Sequence, residues 1–139
     1  MKMENAMLEI FGDVVSAYTR SAAIADGFLV DVTETAKEAG FKCPVALTRE
    51  VWEAFVAWSD EDSKKQTYQD ESGRLWDVLF MAYVNIKRVK EPCTELPYTI
   101  FCVPKDGKTR KSVVSHLKLH VGPGDDGELV ITVMLPNQD

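Results

Sequence analysis

Long apolar runs are missing from this chain. The longest, Val78 to Val84, falls well short of the roughly 20 residues that a membrane-spanning helix needs, so no membrane span is expected. A basic stretch leading into an apolar segment is absent from Met1-Lys2-Met3-Glu4-Asn5. No signal peptide is expected there, and the reading that follows is a cytoplasmic protein. Cysteine is scarce: Cys43, Cys93 and Cys102 are odd in number and scattered in spacing. That builds no disulfide framework, and buried, reduced thiols are the expectation. Internal repeats and low-complexity tracts are absent too, which excludes solenoids and linker-rich architectures.

Positive charge is also in short supply. Residues 1–79 carry 8 Lys+Arg against 15 Asp+Glu, a balance of −7, and residues 80–139 carry 8 against 7, a balance of +1, giving the net −6. Nucleic-acid affinity rests largely on Lys and Arg neutralising phosphates, so direct nucleic-acid binding is not expected. An acidic surface instead suits a protein partner with a basic surface.

What is present is an ordinary globular composition, with 45% hydrophobic and 27% charged residues. A chain of this length buries a core without staples, so one domain over residues 1–139 is expected. Thr19 precedes Arg20 to Ala25 and Asp26-Gly27 follows, which reads as a short capped helix. Phe28 to Val32 reads as a short strand. Thr33 or Thr35 opens a second helix, with Thr35 and Glu38 spaced as a capping box and Gly40 as its stop; Pro44 falls in a loop. Thr48 opens a third helix, along which Val51, Trp52, Phe55 and Val56 form one apolar stripe.

Ser59 and Asp62 are spaced to cap a polar helix running to Gln69, whose one large apolar residue is Tyr68, and Ser72-Gly73 breaks that pattern. Leu75 to Val89 then reads as the main helix, apolar around most of its girth, with Lys87 and Arg88 near its C-terminal end. Beyond Pro92 the period becomes two. Tyr98 to Val103, Val113 to Val121 and Leu129 to Leu135 read as strands. They are separated by the turn signals Lys105-Asp106-Gly107-Lys108 and Gly122-Pro123-Gly124-Asp125-Asp126-Gly127. The expected fold is α+β, with N-terminal helices packed on a C-terminal three-stranded antiparallel β-meander and room for one extra short N-terminal strand.

Several constellations have chemistry on paper. His116 and His120 have a spacing that binds zinc on a helix, but on a strand the two lie about 13 Å apart. Asp60-Glu61-Asp62 and Asp70-Glu71 fail a calcium-loop template, since Lys64 and Lys65 occupy the fifth and sixth positions from Asp60. They read instead as helix caps on an exposed acidic face. Gly122-Pro123-Gly124 lies between strands, which makes a hairpin loop and not a phosphate cradle. A Cys102–His116 nucleophile pair has no local support. No catalytic residue, cofactor or metal is therefore expected.

Two resemblances add to this. Tyr18-Thr19-Arg20, followed by Ile24, Gly27 and Leu29, is faintly similar to the opening of ADP-ribosyltransferase domains. That resemblance implies a late-strand glutamate, for which Glu128 is the positional candidate beside Arg20. Over most of its length the chain resembles an uncharacterised bacterial family of small proteins often encoded on plasmids and integrative elements. The segments that carry this are Tyr18 to Gly27, Ala39-Gly40-Phe41 with Pro44 to Thr48, Gln69 to Leu79, Val103 to Gly107, Gly122 to Gly127 and Met134 to Asn137. The resemblance supplies no functional residues.

The expected function is a non-enzymatic protein-binding module of a mobile genetic element, such as an acidic inhibitor of a host defence complex (anti-CRISPR or anti-restriction). Its partner-binding residues are Trp58, Asp60, Glu61, Asp62, Asp70 and Glu71, with Trp58 as a partly exposed aromatic anchor. A small ADP-ribosyltransferase-like enzyme and an accessory protein of plasmid maintenance or conjugation are the alternatives.

Overall fold

In the computed structural model, which describes residues 18–139, the Thr19 hydroxyl accepts from Ala22 N–H at 2.9 Å and opens α1 (Arg20–Ala25). The reading of Met1–Asn5 lies outside the described residues. Gly27, at φ 83°, turns the chain into β1 (Leu29–Asp31). Helix α2 (Thr33–Ala39) starts three residues earlier than the Thr35 capping box requires, with Val32 at the N-cap position. Asp31 accepts from Thr33 N–H at 3.1 Å and so occupies that end of the helix. Gly40 ends α2 at φ 120°.

The next segment corrects the expected fold. Val45–Thr48, between the loop at Pro44 and the helix that Thr48 opens and assigned to no strand from sequence, forms β2. Among the described residues the sheet has five strands in the order β1-β2-β5-β4-β3, where β3 is Glu95–Cys102, β4 is Val113–Pro123 and β5 is Leu129–Met134. Strands β2 and β5 pair in parallel, Val45 against Ile131 and Leu47 against Val133, while every other pair is antiparallel. The meander β3-β4-β5 is thus only part of a mixed sheet. All four residues of β2 are buried, and a strand covered on both faces loses the polar–apolar alternation that marks the others.

Thr48 does cap the following helix, accepting from Val51 N–H at 3.3 Å. Helix α3 (Arg49–Val51) runs into a π-helical turn, Trp52–Val56, closed by Ala57 N–H donating to Trp52 O at 2.8 Å. Helix α4 (Asp60–Lys65) is shorter than the segment to Gln69 predicted from sequence. Gln66 leaves the helix and becomes buried, its amide donating to Pro104 O and Thr109 O, both at 2.6 Å, and accepting from Gly107 N–H at 3.1 Å. Helix α5 (Glu71–Arg88) begins earlier than predicted. Asp70 caps it through Gly73 N–H at 2.7 Å, so Ser72-Gly73 falls in the first turn, where the amides have no intrahelical partner and glycine is tolerated.

One face of the sheet supplies Val45, Leu47, Tyr98, Ile100, Leu117, Leu119, Ile131 and Val133 to the core. Ala36 and Ala39 of α2 and Leu75, Val78, Leu79 and Ala82 of α5 fill it from the other side. Tyr98 Oη donates to Val78 O at 3.0 Å and fixes α5 over β3; burial pushes that phenol far above its ordinary pKa. Helix α1 attaches to the opposite face, where Arg20 donates to Thr132 Oγ1 at 2.7 Å and Ile131 O at 2.8 Å. Among the described residues no helix is long and apolar enough to cross a membrane.

Candidate functional site

The six residues chosen from sequence meet around the junction of α4 and α5. Ser59 and Asp62 form a full capping box: Ser59 Oγ accepts from Asp62 N–H at 3.1 Å and Asp62 accepts from Ser59 N–H at 2.9 Å. That backbone hydrogen bond leads the causes holding the Asp62 carboxyl below its ordinary pKa. Asp62 also lies 3.9 Å from Lys105, and Glu61 lies 3.8 Å from Lys65. Asp70 caps α5, and Glu71 accepts from Trp58 N–H at 3.3 Å. Asp60, Glu61, Asp70 and Glu71 are exposed.

Trp58 is placed otherwise than the sequence suggested. It is 7% exposed, its indole N–H donates to Ser63 Oγ at 3.0 Å, and its ring carries the Arg74 guanidinium at 4.5 Å. A tryptophan clamped between a buried cation and a helix cannot serve as an anchor for a partner. Tyr68 is 77% exposed and lies between α4 and α5. Its signal was in the sequence, as the one large apolar residue of an otherwise polar segment.

A second feature is an open cleft of about 390 Å³ lined by Arg20, Asp31, Glu34, Asp125 and Glu128 among others. Residues distant in sequence meet here because α1 docks on the β4–β5 turn, where Asp125 accepts from the amides of Arg20 and Ser21 at 2.7 and 3.0 Å. Arg20 and Glu128, the pair implied by the ADP-ribosyltransferase resemblance, are therefore neighbours of one cleft. Their chemistry is nonetheless committed elsewhere. Both ends of the Arg20 fork are bonded to β5, and burial lowers its pKa against the raising influence of Asp31, Asp125 and Glu128. Glu128 accepts from Asp126 N–H at 3.0 Å. Four carboxylates around one engaged guanidinium repel the pyrophosphate of a dinucleotide.

His116 and His120 lie on β4, opposite Thr99 and Glu95 of β3, so strand geometry sets their separation. Among the described residues no group of three or more His, Cys, Asp or Glu is placed to hold a metal ion. Cys93 is exposed and Cys43 and Cys102 are half-buried, all three unpaired, in contrast to the expected burial.

Residues 4–139 match the Family of unknown function (DUF6573). The chain belongs to that family. The match spans both the α4–α5 junction and the cleft. No curated protein and no solved structure gives a significant match.

Proposed function

We propose that this DUF6573 chain is a non-enzymatic protein-binding module that engages a basic protein surface through the α4–α5 junction. The observation that carries the reading is the exposure of Tyr68 (77%) between the exposed carboxylates of Asp60, Glu61, Asp70 and Glu71. An exposed aromatic residue flanked along the chain by exposed carboxylates has the composition of an interface anchor with a steering rim. Asp62 belongs to the same surface but its principal work is capping α4. By analogy with small proteins of plasmids and integrative elements, the reading extends to a bacterial mobile-element product that blocks the basic groove of a nucleic-acid-handling defence complex.

Substituting Tyr68→Ala should weaken partner binding by roughly 2 kcal/mol, about thirtyfold. The pair Asp60→Lys and Glu61→Lys should slow association and reduce its salt dependence while leaving the fold intact. Affinity capture from bacterial lysate followed by kinetics on the captured partner makes the measurement. Equal capture and equal salt dependence for wild type and both variants would remove this surface from consideration.

The ADP-ribosyltransferase-like alternative is favoured by one observation, the shared cleft of Arg20 and Glu128, and opposed by the charge of that cleft. Label transfer from NAD that is abolished by Glu128→Ala would restore it. A role as an accessory protein of plasmid maintenance or conjugation uses the same docking surface with a different partner.

A further inference from the structure

An open apolar groove of about 400 Å³ lies at the C-terminal end of α5, lined by Ile86 and Val89 and by Leu96, Val121, Leu129 and Ile131 from three adjacent strands. Leu129 is 59% exposed and Val89 36%, so the groove presents apolar surface to water on the core face of the sheet. Hydrogen bonds bring one particular stretch of chain to its edge. Asp125, in the turn between β4 and β5, accepts from the amides of Arg20 and Ser21 at 2.7 and 3.0 Å, which pins the start of α1 to the tip of that hairpin. Gly124 N–H donates to Glu128 O at 2.6 Å and closes the same turn, and Leu129 follows at once. The chain that leads into α1 thus arrives beside the Leu129 wall of the groove.

The sequence of that stretch has the matching pattern. Met7, Leu8, Ile10, Phe11, Val14 and Val15 fall on one face at 3.6 residues per turn, while Asn5, Glu9, Asp13 and Ser16 fall on the other. A helix so short is marginal in water unless it has apolar surface to cover, and Gly12 in its middle weakens it further. Over residues 7–15 it would be about 13 Å long, against about 10 Å for the two strand spacings between β5 and β3. The four residues from Val15 to Thr19 span up to about 13 Å, enough to turn from the hairpin tip into the groove. Charge favours the same approach. Residues 1–17 carry Lys2 against Glu4, Glu9 and Asp13, a balance of −2, whereas the end of α5 and the groove carry Lys87, Arg88 and Lys90 against Glu91, and opposite charges draw the two together. We propose that residues 7–15 of this same chain fill the groove as an amphipathic helix and close the core over β3, β4 and β5.

Methyl NOEs in the full wild-type chain make the test. Cross-peaks are expected from Leu8, Ile10 and Val14 to Val89, Val121 and Leu129. They should persist on dilution and be absent between copies in a sample mixing labelled with unlabelled protein. A groove without such cross-peaks overturns the proposal, and so does one whose cross-peaks run between copies, which would make a second molecule the occupant. Urea unfolding gives an independent reading. Leu129 is 59% exposed, and truncating a side chain in a groove open to water changes stability little. With the groove filled, Phe11→Ala and Leu129→Ala should each lower the urea midpoint. Their combined loss should fall short of additivity by about fivefold or more in the unfolding equilibrium constant. Additive losses would leave the two side chains uncoupled and overturn the proposal as well.

Discussion

Arg74 shows how much a single side chain organises here. Its guanidinium ties the π-helical turn through Ala54 O to the end of β3 through Val103 O and lies over the Trp58 ring. Burial lowers its pKa, and carbonyl dipoles and an aromatic face offset the desolvation. Gly40 is the second residue on which local geometry turns. It sits at φ 120°, and a Cβ there would lie 2.7 Å from the Tyr83 ring, which itself packs edge-on against Phe41 at 5.7 Å between centroids. Gly40→Ala should therefore destabilise the protein by about 2 kcal/mol or more, combining backbone strain with a clash. In a Tyr83→Ala background the added loss should shrink to the backbone part, about 1–2 kcal/mol, and urea unfolding of the double-mutant cycle measures the difference. An unchanged loss would place the whole effect in the backbone.

At the scale of elements, the caps decide where helices begin. Thr19, Thr48, Ser59 and Asp70 each accept an amide hydrogen at the start of a helix. Helix α4 has six residues and buries none of them, so its persistence depends on its capping box more than on packing. Ser59→Ala should cost about 1 kcal/mol and leave the urea slope unchanged. The same variant should loosen the presentation of Asp60 and Glu61, which gives a route from a cap to the proposed docking surface. Strand β2 is the opposite case: four buried residues, bonded on both edges by β1 and β5, held by tertiary pairing alone.

For the whole molecule, acid sensitivity follows from the carboxylates that the fold satisfies. Asp106 accepts from Thr109 Oγ1 and from the amides of Thr109 and Lys108 in the β3–β4 turn. These bonds hold its carboxyl at about 2, below the ordinary 3.8. A depressed folded-state pKa contributes stability that is fully present above the unfolded value and is lost as pH falls through the folded one. The window is therefore from about pH 4 down to about pH 2. Urea midpoints should decline across it, and Asp106→Asn should flatten that decline; an identical decline in the variant would assign it to other groups. The capping carboxyl of Asp62 is shifted in the same direction and should contribute part of what remains.

The sequence by itself determined the features that are local. Thr19 as a cap, the Ser59–Asp62 box, the glycine stops at Gly27 and Gly40, and the three strands of period two are each written in neighbouring residues, because capping and alternation act over four residues or fewer. The acidity of the α4–α5 junction was equally plain in Asp60-Glu61-Asp62 and Asp70-Glu71. Tertiary structure alone decided the rest. Parallel pairing of Val45–Thr48 with Leu129–Met134 joins segments more than 80 residues apart, and no local pattern records such a partner. The burial of Trp58 depends on Arg74 arriving from another helix. The meeting of Arg20 with Glu128 depends on how α1 docks on the sheet. Backbone and side-chain groups that satisfy one another across the chain leave no periodic trace in it, which is why the sites had to be read from the fold.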